Sequence, residues 1–504
     1  MGAALEVVPP ADDLLPALLD SVRRYCADTI DATAIDKAGK IPRELLAGMA
    51  ELGLFGLTLP EAYGGSGLSM VAAARVVAEI ARFDRSVATS VGLHLGLGTR
   101  GLIAFGSEAL KARYLPDLAA GKKIAAFSTT EPNAGSDLSN LATRGVADGD
   151  SLVVSGEKIF VTNGGFADVF TLTVSTPGLG GYARGQSLVL FERGDTGFSV
   201  GKEEWKLGLK GSSTTPLVLE EVRVPQSRII GAPGKGADQL HHVLSWGRTL
   251  MAAGCCGTAQ RAFERMREQA ATRKQFGKTL DALEVVQEQL ALSAARLFAM
   301  EALALSVCAQ EADFEALGVR SLAAKVFCSE GAGIIADTCI QVHGGSGFIE
   351  ETGVPVMARD ARVTRIFEGA NDVLLTHMGA AESMVTATRA PLTGTVGVAL
   401  EKAARLADAL AAEVAAQRTE LVGKYKVALL RHKRLLHRLG AAVCWRDALD
   451  AAVARAAASR SQGDAALATL FAELARAEAA KFFTTPVPLD AITAALAAAP
   501  GAST

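Results

Sequence analysis

The sequence predicts an α+β protein in which a helical region, a β-domain, a second helical region and a helical extension follow one another. Three observations carry that reading. Apolar residues recur at three- and four-residue spacing up to about Lys122, short β-branched runs replace them between Lys123 and Gly236, and helical spacing returns at Gln239. In the first region LLPALLDSVRRY, PRELLAGMAELGLFG and MVAAARVVAEIARF each carry an apolar stripe, and PEAYGGSGLS, Pro60 to Ser69, is a loop between two of them. Residues 1–122 are read as an N-terminal helical domain. SLVVSG, KIFVTN, DVFTLTVST, SLVLFE and PLVLEEVRV, separated by Gly, Pro, Asn and Asp, predict a compact antiparallel β-domain over 123–236. Long helices are expected over 237–385, broken at ATRKQFGKTLD and QVHGGSGFIEETG. RAPLTGT, Arg389 to Thr395, reads as a linker. Residues 396–504 read as an alanine-rich helical extension whose closing AAAPGAST is expected to fray.

Composition narrows the function classes. A chain of 504 residues, about half hydrophobic, can bury several cores. Its net charge of −3, with both signs interspersed, gives no field that favours nucleic acid or an anionic membrane. The seven cysteines contain no CxxC, the adjacent Cys255 and Cys256 included, which fits a reducing compartment. The histidines show no metal spacing: His241 and His242 are neighbours, and His432 and His437 sit in a basic stripe, so no metal is expected. The opening MGAALEVVPPADD has neither a basic n-region with an apolar core nor, with Glu6, a myristoylation signal. No uncharged run reaches the roughly 18 residues of a membrane span. A cytoplasmic protein with at most peripheral membrane contact is expected.

Five segments carry candidate chemistry. In RIFEGANDVLL, Arg365 to Leu375, the carboxylate of Glu368 follows Ile366 and Phe367 and precedes Gly369; desolvation there would raise its proton affinity, and the glycine lets a substrate approach. A buried glutamate capping a helix would read the same way. FSTTEPNAGSD, Phe127 to Asp137, packs hydroxyls, a carboxylate, Pro132 and Gly135 into one loop that can offer donors to a flat polar ligand, or make an ordinary capped turn. In KIFVTNGGFAD, Phe160 and Thr162 lie two apart on a strand and so share a face, fit to stack on a ligand and bond its edge; a core Phe beside a turn is the plainer reading. RKQFG, Arg273 to Gly277, offers a cation, an amide and an aromatic for a diphosphate and adenine, or a solvated helix end. QVHGGSGF, Gln341 to Phe348, ends a helix in glycines whose amides suit a phosphate, as would a plain C-cap. GLGTRG, Gly96 to Gly101, matches GxGxxG but follows no strand, so it is not read as a dinucleotide fingerprint.

Together and in this order, these segments resemble the acyl-CoA dehydrogenase family from about Asp12 to Met384, and the added helical region makes the very-long-chain branch the nearest in kind. The resemblance implies a β-barrel-like central domain, a C-terminal four-helix bundle over 237–385, FAD as cofactor and a homodimer. It implies α,β-dehydrogenation of medium- to very-long-chain acyl-CoA in fatty-acid β-oxidation, with electrons passed to an electron-transferring flavoprotein. An oxidase using dioxygen and a non-catalytic assembly member of the same family stand as alternatives.

The same resemblance assigns roles by position. Glu368 matches the base that takes the α-proton, with its backbone N–H on the thioester carbonyl and Gly369 leaving room. Phe127, Thr129, Thr130 and Ser136 match contacts to the isoalloxazine, Ser136 also approaching the pantetheine. Phe160, where many relatives carry Trp, and Thr162 match the stacking ring and the hydroxyl near N5. Arg273, Phe276, Gln341, Gly344 and Gly345 match contacts to the adenosine diphosphate supplied by the neighbouring subunit, with Glu284 where several relatives carry Gln. Ala370 and Asp372 match flavin-side positions, and Arg248 an arginine that shapes the acyl-CoA site. Gly96 and Gly98, with Leu93 and Leu97, match the floor of the acyl cavity, where small residues leave depth or serve helix packing. KYKVALLRHKRLLHR, Lys424 to Arg438, reads as a basic amphipathic stripe that touches anionic lipid or pairs with acidic neighbours.

Overall fold

A computed structural model describes residues 15–497 apart from 388, 485 and 487, so MGAALEVVPPADD and the expected frayed end beyond Ala497 lie outside the described residues. The N-terminal region holds α1 (Leu15–Thr29), α2 (Ala32–Ala38), α3 (Arg43–Glu51), α4 (Met70–Phe83), α5 (Arg85–Leu93), α6 (Thr99–Phe105) and α7 (Glu108–Ala119). Side-chain caps set several starts: Asp31, Ser69, Asp84 and Ser107 accept the N–H three residues on in α2, α4, α5 and α7. Between α5 and α6 one π-helical turn, His94–Gly98, carries Gly96 and Gly98 of GLGTRG, and Gly101 falls in α6.

The middle region is a mixed sheet: β1 (Ala125–Ser128), β2 (Arg144–Asp148), β3 (Ser151–Thr162), β4 (Val169–Ser175), β5 (Gln186–Glu192), β6 (Phe198–Val200), β7 (Thr214–Pro225) and β8 (Ile229–Ile230). The strands run β6-β7-β3-β2-β4-β5-β8, with β1 added on β4. Two expectations are corrected here. The sheet is not wholly antiparallel, because β1 and β2 both pair parallel with β4. Nor is it a closed barrel, because the path ends at β6 and β8. Alternating side chains specify which face is buried but not a partner's direction, and the connections between β1, β2 and β4 are long enough to return the chain either way.

Beyond it run α8 (Gly236–Thr272), a hairpin of β9 (Lys274–Gln275) and β10 (Lys278–Thr279), α9 (Glu284–Cys308), α10 (Phe314–His343), α11 (Val354–Val363) and α12 (Asn371–Ser383). Three long helices, α8, α9 and α10, pack on one another; the fourth, α12, is short and shares its face with the extension. The extension comprises α13 (Glu401–Tyr425), α14 (Lys433–Ser459), α15 (Gln462–Phe483) and α16 (Leu489–Ala497). α14 crosses α12 backbone to backbone at Gly440 and Gly379, where a Cβ would stand 1.9 Å from the carbonyl oxygens of Leu375 and Leu436 respectively. Arg389 pins the linker to α13 and α14 through Asp408 and Asp450, each at 2.6 Å. Lys424 to Arg438 is not one amphipathic helix: α13 stops at Tyr425, Lys426 turns with φ +50°, and a 3₁₀ turn leads into α14. α9 is long and apolar enough to span a membrane, yet 67% of that stretch is buried. One hydrophobic core runs through the N-terminal helices, α8 to α10 and the extension; the sheet keeps a second core.

Candidate active site

A cavity of about 140 Å³ opens where α4, α5 and α8 meet β1, β3 and the turn before α12. Phe127, Thr129 and Thr130 enter it from the end of β1, Phe160 and Thr162 from β3, and Glu368 from that turn. The loop FSTTEPNAGSD is held by a buried pair: Lys158 Nζ stands 2.7 Å from Glu131 Oε1 and donates to the Thr129 carbonyl at 3.3 Å, while Glu131 accepts the N–H groups of Ala142 and Thr143. Burial opposes the Glu131 charge, but Lys158 and the amides bonded to it leave the carboxyl below its ordinary range. The loop is thus fixed before any ligand arrives. β3 loses register with β7 between Lys158 and Val161, and Phe160 adopts φ +57° there with 60% of its surface exposed. Simple alternation would put Phe160 and Thr162 on one face; a bulge intervenes, yet both line the same cavity.

Glu368 also sits in the left-handed region, at φ +56°, at a cost of about 1–2 kcal/mol for a residue with a Cβ. Its Oε2 is sealed from solvent and has no hydrogen-bond partner. Burial pushes the carboxyl up to about 7 against the pull of Arg248, Lys325 and Arg85. Of the flanking residues expected to dry it, Phe367 lines the cavity but Ile366 is 54% exposed. The drying surface is instead α8: a Cβ on Gly247 would stand 2.9 Å from Oε2 and 2.3 Å from Leu97 Cδ2, so only glycine admits both side chains.

The strained turn is held from behind. Arg248 Nε donates to the Glu368 carbonyl at 3.0 Å, so Arg248 holds the Glu368 backbone rather than ion-pairing with a carboxylate. Lys325 Nζ donates to the Gly369 carbonyl at 2.8 Å and to Asn371 Oδ1 at 2.7 Å. Burial lowers the Lys325 ammonium to about 8, with Glu368 the largest opposing influence. Gly369 has φ +99°, and a Cβ there would meet Leu374 Cδ2 at 2.8 Å. Sequence reasoning missed Lys325, Asn371 and Gly247. One signal was visible, a lone Lys inside the apolar run SLAAKVFC.

Other expected residues lie outside this cavity. Ser136 is exposed on its loop. Ala370 precedes α12, and the Asp372 side chain is 92% exposed, facing His437 of α14 at 3.2 Å. Arg273, Phe276, Gln341, Gly344 and Gly345 are all on the surface, and Phe276 is 90% exposed at φ +51°. Gly96 and Gly98 are used in packing: a Cβ on Gly96 would stand 3.4 Å from Gly247 Cα, and one on Gly98 2.8 Å from Ala125 Cβ. Leu97 and Leu250 fill the floor between them.

Comparison with known proteins gives a consistent result. The chain matches the acyl-CoA dehydrogenase N-terminal, middle and C-terminal domains over residues 15–122, 126–222 and 234–383. It is 35% identical to the mitochondrial very long-chain specific acyl-CoA dehydrogenase of Mus musculus, over 71% of this chain and 56% of that protein, so it spans a little over half of such mammalian relatives. It is 35% identical to an acyl-CoA dehydrogenase of Bacillus subtilis, over 68% of this chain and 90% of that one. A solved acyl-CoA dehydrogenase from Bacillus anthracis complexed with FAD superimposes with a TM-score of 0.86 at 25% identity, over 98% of this chain and 93% of that chain. Butyryl-CoA dehydrogenase from Megasphaera elsdenii gives a TM-score of 0.71 at 32% identity, over 73% and 98%. The difference in cover, 98% against 73%, shows that the extension too has a counterpart in a solved fold.

Proposed function

This chain belongs to the acyl-CoA dehydrogenase family, and we propose that it is an FAD-dependent enzyme that converts an acyl-CoA to the trans-2-enoyl-CoA in fatty-acid β-oxidation. The observation that carries the reading is the Glu368 carboxyl, raised to about 7 and unpartnered at Oε2, in the same cavity as Phe127, Thr129, Thr130, Phe160 and Thr162. These residues fit a flavin: Phe160 has an exposed ring for stacking, and the threonines offer hydroxyls for its edge. Bound FAD would supply the acceptor for the hydride leaving the substrate's β-carbon.

The chain's own residues account for the proton. Glu368 accepts it from the α-carbon at a carboxylate oxygen that water does not reach, and the gap over Gly247 leaves that oxygen free to receive it. The Glu368 N–H donates to no acceptor among the described residues, so it is available to the thioester carbonyl as negative charge builds there. Arg248 and Lys325 hold the two carbonyls on either side of the strained bond and keep that N–H aimed.

The electron acceptor in this proposal is an electron-transferring flavoprotein, and the setting is cytoplasmic. The exposed Arg273, Phe276, Gln341, Gly344 and Gly345 suit contacts to a cofactor held by a second copy, hence a homodimer. Glu368→Gln should retain the flavin and lose about 10²- to 10⁴-fold in turnover, the usual worth of a general base. Purified mutant with normal flavin content and undiminished enoyl-CoA formation would overturn the assignment.

A further inference from the structure

The loop that brings Thr129 and Thr130 to the cavity is held from beneath by Lys158 of β3, which is fully buried. β3 departs from register with β7 on both sides of Lys158, and between those irregularities its side chain reaches under the loop. The ammonium stands 2.7 Å from Glu131 Oε1 and donates to the Thr129 carbonyl at 3.3 Å. Glu131 in turn accepts the N–H groups of Ala142 and Thr143. Gly156, where a Cβ would stand 2.5 Å from Thr143 Cα, lets that end of the loop lie on β3. Both ends of the loop are therefore fastened to one buried pair.

A trans peptide points its carbonyl and the following N–H in opposite directions, and the described residues contain no cis bond. With the Thr129 carbonyl drawn to Lys158, the Thr130 N–H points away from the buried amine, on the side where Thr130 borders the cavity. The next peptide is held in a similar way, since the Ile159 N–H donates to the Thr130 carbonyl at 3.0 Å, but its own N–H, that of Glu131, is taken by the Ala134 carbonyl at 2.9 Å. The Thr130 N–H donates to no acceptor among the described residues. One backbone donor is thus left open, and Lys158 sets its direction.

A fully buried ion pair commonly stabilises a fold no better than apolar side chains of similar volume, so stability does not account for this one. What apolar side chains cannot do is hold a carbonyl. Two-electron reduction places negative charge on the pyrimidine edge of a flavin, and a fixed N–H meets such charge without reorganisation. A hydrogen bond to an ionised acceptor is also about twice as strong as one to a neutral acceptor. Resting on the dehydrogenase reading above, we propose that Lys158 is a positioning residue for the cofactor. Through the Thr129 carbonyl it aims the Thr130 N–H at the pyrimidine edge of FAD, and so holds the reduced flavin more tightly than the oxidised one. Glu131 keeps Lys158 charged against burial and fastens the far end of the loop.

The double variant Glu131→Gln, Lys158→Met removes both charges together, leaves no ion buried alone and should fold. Titration of flavin-depleted protein is expected to show oxidised FAD bound about fivefold, and reduced FAD about 50-fold, more weakly than by wild-type protein. That tenfold difference places the two-electron midpoint of the bound flavin about 30 mV more negative. A fold merely loosened would weaken both forms alike and leave the midpoint unmoved, and that result overturns the proposal. Should the double variant not fold, wild-type protein decides by hydrogen exchange. The Thr130 amide should then exchange at least about tenfold more slowly in the FAD holoenzyme than in flavin-depleted protein, and an equal rate overturns the proposal. If wild-type protein takes up no FAD, the dehydrogenase reading fails and this inference with it; if it takes up FAD and only the midpoint stays in place, the fault lies with Lys158 alone.

Discussion

In the proposed role of base, Glu368 acts only when ionised, so kcat/KM should rise with pH through about 7. Lys325 and Arg248 both pull that carboxyl down against burial. Removing one cation therefore has a defined sign: Lys325→Met should move the acid limb to higher pH, by about 0.5–1 unit. It also leaves the Gly369 carbonyl without its side-chain donor and Asn371 Oδ1 with only the Ser329 hydroxyl at 3.4 Å, and the plateau should drop about tenfold as the turn loosens. A pH profile with a lower plateau and an unmoved limb would make Lys325 a purely structural tie. Glu368 stood out in the sequence as a carboxylate before glycine in an apolar segment, but that segment alone read better as a helix cap, and its assignment as the base came from the resemblance carried by the other segments. The surroundings of Glu368 did not stand out: Gly247, Arg248 and Lys325 come from α8 and α10, and no local spacing joins them to position 368. The expectation that Ile366 helps to dry Glu368 failed for the same reason, since neighbours in sequence at a left-handed turn point in different directions.

At the scale of elements, helices were legible wherever an apolar stripe ran between caps, as in α4, which Ser69 opens and Asp84 closes. The parallel pairing of β1 with β4 was not, because strand composition is indifferent to direction. The π turn at His94 was hidden within a helical pattern that continues on either side of it. Glycines inside helices were ambiguous until their neighbours were known. Gly379 and Gly440 resolve into a crossing where no Cβ fits, and α12, which they anchor, starts three residues after Glu368. Gly440→Ala forces a methyl against the Leu375 carbonyl, and the helices must part; urea unfolding should report a loss of about 2–3 kcal/mol. Gly423→Ala, on α13 with open space around the site, should cost nothing and serves as the control.

For the whole molecule, domain borders drawn from composition and the borders of the packed cores do not coincide. The change of period at Lys123 separates the sheet as a sequence unit, and it owns a core; the linker at Arg389 looks equally like a border, yet the helical core passes beneath it. Glu382 of α12 is buried between Arg418 of α13 and Arg446 of α14, at 3.2 and 3.0 Å, so parting the extension from α12 would strip a buried carboxylate of both partners. Arg389, clamped by Asp408 and Asp450, ties the connecting chain to the same unit. Native-state hydrogen exchange should therefore group the amides of α14 with those of α8 and α10 in one cooperative opening, while β4 and β5 exchange through a separate, lower-energy one. Protease nicking within 386–399 should leave the two fragments associated through gel filtration, since α12 and α14 still meet at glycine. Exchange of α13 to α15 well ahead of α8 would mean that the extension is an appended domain, and the proximity of its crossing to Glu368 would then carry no mechanical consequence for the base.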